Sequence, residues 1–172
     1  NKKNEGFAKA CNQGARAARG QYVVFLNNDT IPQSGWLSSL VSEVDAHPEV
    51  GIVGSKLLYP DGTVQHAGVV RDLEHRLPYH IYRSFAGDHP VVNQRREFQI
   101  VTAACLLIRR SLFEEVGGFD EGYVNGFEDA DLCLKVRERG YTVVYQPRSV
   151  VLHLESQTAG RKVHDDINAI RF

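Results

Sequence analysis

Tyr22-Val23-Val24-Phe25-Leu26 is an unbroken apolar, β-rich run that stops abruptly at Asn27-Asn28-Asp29-Thr30. A strand that is apolar on both faces needs cover on both faces, and this is the habit of parallel sheets flanked by helices. Ser34 can cap a following helix whose stripe is Leu37, Leu40, Val41 and Val44, and Val50-Gly51-Ile52-Val53 then gives a second short strand. The order predicts a β-α-β unit. Such units bind ligands beyond the carboxyl ends of their strands, where Asn27, Asn28 and Asp29 fall. At 172 residues, 42% of them apolar, the chain has room for one domain with a sizeable core.

A second segment draws the eye for the opposite reason. Glu128, Asp129 and Asp131 open a predicted helix whose apolar stripe runs Leu132, Cys133 and Val136. Stepping back three or four residues from that stripe lands on Asp129, so periodicity turns this carboxylate inward, while Asp131, Lys135 and Glu138 turn outward. An ionised carboxylate is costly to bury unless something binds or uses it, which makes Asp129 a candidate for chemistry. Complementing the positive end of the helix dipole accounts for Asp131 and in part for Glu128.

Elsewhere, Phe7 to Arg19 reads as an Ala-rich helix with Gly20 as its stop. Pro60-Asp61-Gly62-Thr63 is a turn signal between Lys56–Tyr59 and Val64–Val70, predicting a hairpin or antiparallel ribbon. Residues 71 to 97, with His75, His80 and His89, show no sustained period and read as a long loop. Phe98 to Ile108 is one long strand candidate; a short helix from Ser111, a Gly117-Gly118 break, and strands near 141–145 and 150–154 follow. From Ser156 the pattern fades, so residues 155–172 are expected to be a flexible tail or flap.

Several classes are excluded or disfavoured. The net charge of −1 with scattered basic residues gives no nucleic-acid footprint, and no eighteen-residue apolar run spans a membrane. The three cysteines, Cys11, Cys105 and Cys133, lack ligand spacing and read as buried thiols of a cytosolic protein. The histidines show neither HxH nor HExxH spacing, so zinc is not predicted. There is no Walker loop, G-x-S-x-G elbow or G-x-G-x-x-G. Asp29 at a strand end suits Mg²⁺ or Mn²⁺ bridging a diphosphate, and His153, interrupting the apolar run Val150–Leu154, could add a nitrogen ligand. The same Asn-Asn-Asp-Thr-Ile-Pro run is also good turn and cap chemistry, and a lone strand histidine is often a satisfied core residue. With no Met and a start at Asn1-Lys2-Lys3-Asn4, the chain is expected to be a piece of a longer protein.

Taken in order, Asn4-x-Gly6-Phe7-Ala8 with Asn12-x-Gly14, Leu26-Asn27-Asn28-Asp29-Thr30, Pro60-Asp61-Gly62-Thr63 with His66-Ala67-Gly68, Gly117-Gly118-Phe119-Asp120-Glu121, Glu128-Asp129-x-Asp131 and His153 resemble the family 2 glycosyltransferases. The resemblance covers nearly all of residues 4 to 160. It implies the GT-A (nucleotide-diphospho-sugar transferase) fold, an α/β architecture with a mainly parallel central sheet flanked by helices and a small antiparallel ribbon. The family's Asp-x-Asp metal and donor-diphosphate triplet corresponds to Asn27-Asn28-Asp29, where only the last acid is kept. Its Glu-Asp motif, which supplies the general base, corresponds to Glu128-Asp129. Members usually begin with strands that bind the nucleotide base and ribose. This chain starts after them, so the resemblance implies an N-terminally truncated domain that leaves a sheet edge unpaired and is weakly active or inactive alone.

The expected reaction is inverting glycosyl transfer from a nucleoside-diphosphate sugar to a glycan or lipid-linked glycan acceptor, in bacterial polysaccharide or cell-surface glycan synthesis. Asp129 would be the base, with Glu128 and Asp131 supporting it or binding acceptor. Asn27, Asn28, Asp29 and Arg161 would bind donor, and Asp29 with His153 would hold Mg²⁺ or Mn²⁺. No nucleic-acid partner is expected. The expected location is the cytoplasm, with the parent peripheral at the cytoplasmic face of the membrane. A nucleotidyltransferase of similar layout and a non-catalytic carbohydrate-binding module are the alternatives.

Overall fold

A computed structural model describes residues 4–72, 74, 77–124, 126–154 and 165–172. The elements run α1 (Phe7–Ala17), β1 (Tyr22–Leu26), β2 (Thr30–Pro32), α2 (Trp36–Ala46), β3 (Val50–Leu58), β4 (Val64–His66), β5 (Val69–Arg71), β6 (Pro78–His80), a 3-10 turn (Pro90–Val92), β7 (Arg96–Phe98), β8 (Cys105–Arg109), α3 (Arg110–Glu115), α4 (Glu128–Glu138), β9 (Thr142–His153) and α5 (Asp165–Arg171).

The central sheet has the order β1-β8-β3-β9-β2, with β4 beside β3 and β7 beside β9. Alternation along its strands splits the core into two layers. Ile52, Leu106, Ile108 and Val143 pack on one face with Ala8 and Ala15 of α1, Phe113 of α3 and Leu132, Cys133 and Val136 of α4. Val53, Leu107, Val144 and Val151 point the other way, against Leu40 and Val44 of α2. This two-sided burial is what apolar strands demand.

The sheet is mixed. β3 and β9 form its long parallel ladder, from Val50↔Thr142 to Leu58↔Leu152. β8 enters antiparallel between β1 and β3, so the expected β-α-β unit is present but its two strands are not neighbours. The parallel ladder is the core of the expected sheet, and the other pairings of the described strands are antiparallel. Apolar runs report burial, not strand direction.

Other boundaries also shift. Helix α2 starts after Gly35, which is left-handed at φ 77, rather than on a Ser34 cap. The 98–108 strand breaks into β7 and β8 with a loop between them. The two C-terminal strands merge into β9, whose register jumps from Ser55↔Gln146 to Lys56↔Val150, so that Pro147 lies in an irregularity where it need not donate to a ladder. The turn at 60–63 is as expected: Tyr59 N–H donates to Thr63 O at 2.8 Å, and Asp61 Oδ1 accepts from Thr63 N–H at 2.9 Å.

Residues 71–97 were expected to form a loop, but they carry β6, the 3-10 turn and most of β7. Their fixings come from distant residues that periodicity does not register. Lys56 Nζ donates to Gly87 O and Asn93 Oδ1, and the Tyr145 hydroxyl donates to Val92 O. Over the last residues of the expected tail or flap the chain forms α5. Asn168, 1% exposed, brackets Val124 with two hydrogen bonds, and Arg171 forms an ion pair with Asp120. The rest of the 155–172 segment, through residue 164, lies outside the described residues.

Candidate functional site

The end of β1 makes one half of the site. Asn27 N–H donates to Ala104 O, and Thr30 Oγ1 closes a tight turn on Asn27 O at 2.6 Å. β2 then pairs with β9 so that Thr30 faces His153, and Leu154 N–H donates to Asp29 O. The turn chemistry and the site chemistry are thus the same residues. Asp29 Oδ1 lies 3.2 Å from His153 Nε2, with the side chains 18% and 4% exposed. Asn27 Nδ2 is 3.4 Å from the same nitrogen, and Asn28 is exposed at the turn.

The other face of His153 was not anticipated. Its Nδ1 lies 2.6 Å from Gln65 Oε1 on β4. An amide oxygen only accepts, so in this amide orientation Nδ1 carries the proton, while Nε2 either offers its lone pair or holds a second proton for Asp29. At 3.2 Å a second proton on the ring joins the pair as an ion pair, and a cation between the two atoms is the other way to satisfy them. No group of three or more His, Cys, Asp or Glu side chains able to hold a metal occurs among the described residues. A cation here would therefore keep water or ligand oxygens, as Mg²⁺ and Mn²⁺ do.

Helix α4 makes the second half. It is entered through Phe127 at φ 72, a strained left-handed conformation for an aromatic residue. Asp129 is partly exposed; its Oδ2 accepts from Ala103 N–H at 3.0 Å and its Oδ1 from Ala130 N–H at 2.9 Å. The fully inward carboxylate is instead Glu128, 7% exposed, and the periodicity reading is corrected on this point. Four residues back from Leu132 is Glu128, so Glu128 and Asp129 flank the stripe from two sides. Asp131 pairs with Lys135 at 2.6 Å, one turn on. Glu128 lies near α1, where its charge adds to burial in pushing the Cys11 thiol up to about 11. Arg161 lies outside the described residues.

One segment joins the halves. Ala103 holds Asp129 through its N–H, while Ala104 holds Asn27 through its carbonyl. The loop that breaks the expected 98–108 strand therefore sets the spacing between the Asp29–His153 pair and Asp129. Gln65, His80, Arg83, Thr102 and His153 line a cavity of about 40 Å³ over Leu57 and Ala104. A larger cavity of about 300 Å³, with Ser38, Ser42, Glu43 and Arg148 in its walls, contains none of the expected site residues.

Two of the sequence motifs turn out to be structural fixings. Asn12 ties α1 to the Gly117–Glu121 segment through Phe119 N–H, Phe119 O and Glu121 Oε1. His66 is fully buried against His80, their Nδ1 atoms 3.1 Å apart, and burial pushes its pKa down. Gln65 and the 102–104 loop were missed. The one sequence signal for Gln65 was a polar residue inside the buried run ahead of His66-Ala67-Gly68.

The description "Glycosyl transferase family 2" matches residues 1–117, and the chain belongs to that family. Its fold is that of GT-A glycosyltransferases: a crystal structure of GalNAc-T7 with UDP, GalNAc and Mn²⁺ superposes with TM-score 0.72 at 18% identity, covering 99% of this chain and 35% of that one. A mannosyltransferase from Pyrobaculum calidifontis, in complex with GDP-Man and Mn²⁺, superposes with TM-score 0.61 at 22% identity over 97% of this chain and 44% of its own. In sequence, the chain is 39% identical over 150 residues to the O-antigen biosynthesis protein RfbC of Myxococcus xanthus, covering 84% of this chain and 12% of that protein. It is 29% identical over 150 residues to an N-acetylglucosaminyl-diphospho-decaprenol L-rhamnosyltransferase of Mycobacterium tuberculosis, covering 81% of this chain and 49% of that protein. An uncharacterized protein of Sinorhizobium fredii, y4gI, is 40% identical over 161 residues, 90% of this chain and 17% of that protein. The chain thus spans less than half the length of each of these relatives.

Proposed function

We propose that this chain carries the metal, sugar and acceptor side of an inverting glycosyltransferase acting on a nucleoside-diphosphate sugar. The observation that supports the reading best is the pair of carboxylates hung from consecutive residues, Asp129 from Ala103 and the Asp29 turn from Ala104. Family membership supports transfer over nucleotidyl chemistry or bare carbohydrate binding.

In this reading Asp129 takes the proton from an acceptor hydroxyl as that oxygen attacks the anomeric carbon. Its bond from Ala103 fixes the carboxylate while leaving lone pairs for the incoming proton. Glu128 and Asp131 sit on either side of it on α4, to shape the acceptor subsite. Asp29 and His153 would hold Mg²⁺ or Mn²⁺, which when bound neutralises charge developing on the departing nucleoside diphosphate. Asn27 and Asn28 offer amide donors at the same turn, and Arg161 would meet the diphosphate from the following segment. Inversion follows from one base and one displacement.

The relatives named for O-antigen and decaprenol-linked glycan synthesis favour a bacterial cell-surface glycan as product, with a glycan or lipid-linked glycan as acceptor. No helix among the described residues is long and apolar enough to cross a membrane; the proposed site of action is the cytoplasmic face. The test is donor turnover by the intact protein across a panel of sugar nucleotides, with Mn²⁺, Mg²⁺ or EDTA. Turnover of at least one donor, lost in EDTA and restored by Mn²⁺, is expected; metal-independent turnover would overturn the cation assignment.

A further inference from the structure

We propose that Gln65 is the positioning residue of the Asp29–His153 pair: it fixes which nitrogen of His153 carries the proton and so which one is offered to a cation. This rests on the cation reading above, although its first consequence does not need a metal at all.

Gln65 and His153 are 5% and 3% exposed, so the 2.6 Å bond between Oε1 and Nδ1 is shielded from bulk water. A buried histidine must satisfy both ring nitrogens, and the side that meets a pure acceptor becomes the protonated side. Remove that acceptor and the proton is better placed on Nε2, where Asp29 Oδ1 waits 3.2 Å away to accept it. That rearrangement would consume both donor atoms in one internal hydrogen bond and close the cation site without displacing a single backbone atom. Gln65 thus favours the proton on Nδ1, the arrangement in which Nε2 can be offered to a cation.

Gln65 sits at a bulge in the β3–β4 pairing, with no register partner of its own. Gln65 sits on β4, whose neighbours Val64 and His66 pair with Leu58 and Leu57 of β3, while β3 also carries β9 and therefore His153. The two side chains hang from strands either side of a common partner. Gln65 Nε2 has no hydrogen-bond partner among the described residues and borders the cavity of about 40 Å³. The amide is oriented by its oxygen alone, as expected if the His153 contact sets it.

The experiment is ¹⁵N-histidine NMR of the intact protein, with the His153 signal identified by its loss in His153→Gln, combined with Mn²⁺ titration. The wild type should show His153 protonated on Nδ1 before any metal is added. Gln65→Met should move the proton to Nε2 and weaken Mn²⁺ binding by roughly 10–100-fold, while Gln65→Glu, which still accepts from Nδ1, should keep both tautomer and affinity. Protonation on Nε2 in the wild type would overturn the assignment. So would unchanged Mn²⁺ affinity in Gln65→Met, or equal loss in both variants, which marks a packing role. A wild type with the Nδ1 tautomer that binds no Mn²⁺ would sink the cation reading and leave Gln65's control of the tautomer standing.

Discussion

At the residue scale, Asp129 has two duties that can be separated. Its Oδ2 anchors Ala103 N–H, a job that an asparagine oxygen does equally well, whereas accepting a substrate proton needs the carboxylate. Asp129→Asn keeps the Ala103 bond but turns its NH2 toward Ala130 N–H, so it should lower the melting temperature less than Asp129→Ala, which leaves the Ala103 N–H without its acceptor and costs about 1–3 kcal/mol in denaturant unfolding. His66 gives a second residue-scale prediction. Burial, and to a lesser degree the charge of His80, holds its pKa well below 6.5, so the unfolded chain binds the extra proton first. Stability from this residue is fully present above pH 6.5 and falls with decreasing pH, by up to about 1.4 kcal/mol per unit. Urea unfolding at pH 7.5 and 5.5 should show that loss, and His66→Phe should reduce it.

Asp29, His153 and Asp129 stand out in the sequence as candidates because each is a polar residue at a boundary or in an apolar run. Gln65 and Ala103 do not, because their partners lie 88 and 26 residues away. No local period encodes such a pairing. Nor does periodicity separate the less buried from the more buried of two adjacent acids, since a helix stripe three residues wide has two flanks and the entry angle set by Phe127 is not written in the spacing.

At the element scale, helices and the 60–63 turn were legible because caps, stripes and turn residues act locally. Strand direction and the ordering of 71–97 were not, because both are decided by what the rest of the chain brings alongside. The insertion of β8 between β1 and β3 is the clearest case: two strands that read as neighbours share a third, contributed more than fifty residues after β3 begins. The Gly117-Gly118 break shows the opposite. Gly118 has φ +73, and a Cβ there would lie 2.7 Å from Asn12 Oδ1, so the break and the α1 anchor need each other. Gly118→Ala should destabilise the fold by about 1–3 kcal/mol in chemical denaturation, through backbone strain and the displaced Asn12. A core truncation in the layer beneath the site, Leu132→Ala, should cost about 2–5 kcal/mol and lower activity only through the folded fraction.

At the scale of the whole molecule, two core layers on either face of a mixed sheet hold the β1 turn, the end of β9 and the start of α4 against one short loop. That common edge is the proposed place of transfer. The most direct test compares the intact wild type with Asp29→Asn and Asp129→Asn, titrating a sugar nucleotide with and without Mn²⁺ and then measuring transfer. Asp29→Asn should lose the Mn²⁺-dependent part of donor binding. Asp129→Asn should bind donor as the wild type does and transfer at least about 100-fold more slowly. Wild-type turnover in Asp129→Asn, or undiminished Mn²⁺-dependent donor binding in Asp29→Asn, would contradict it.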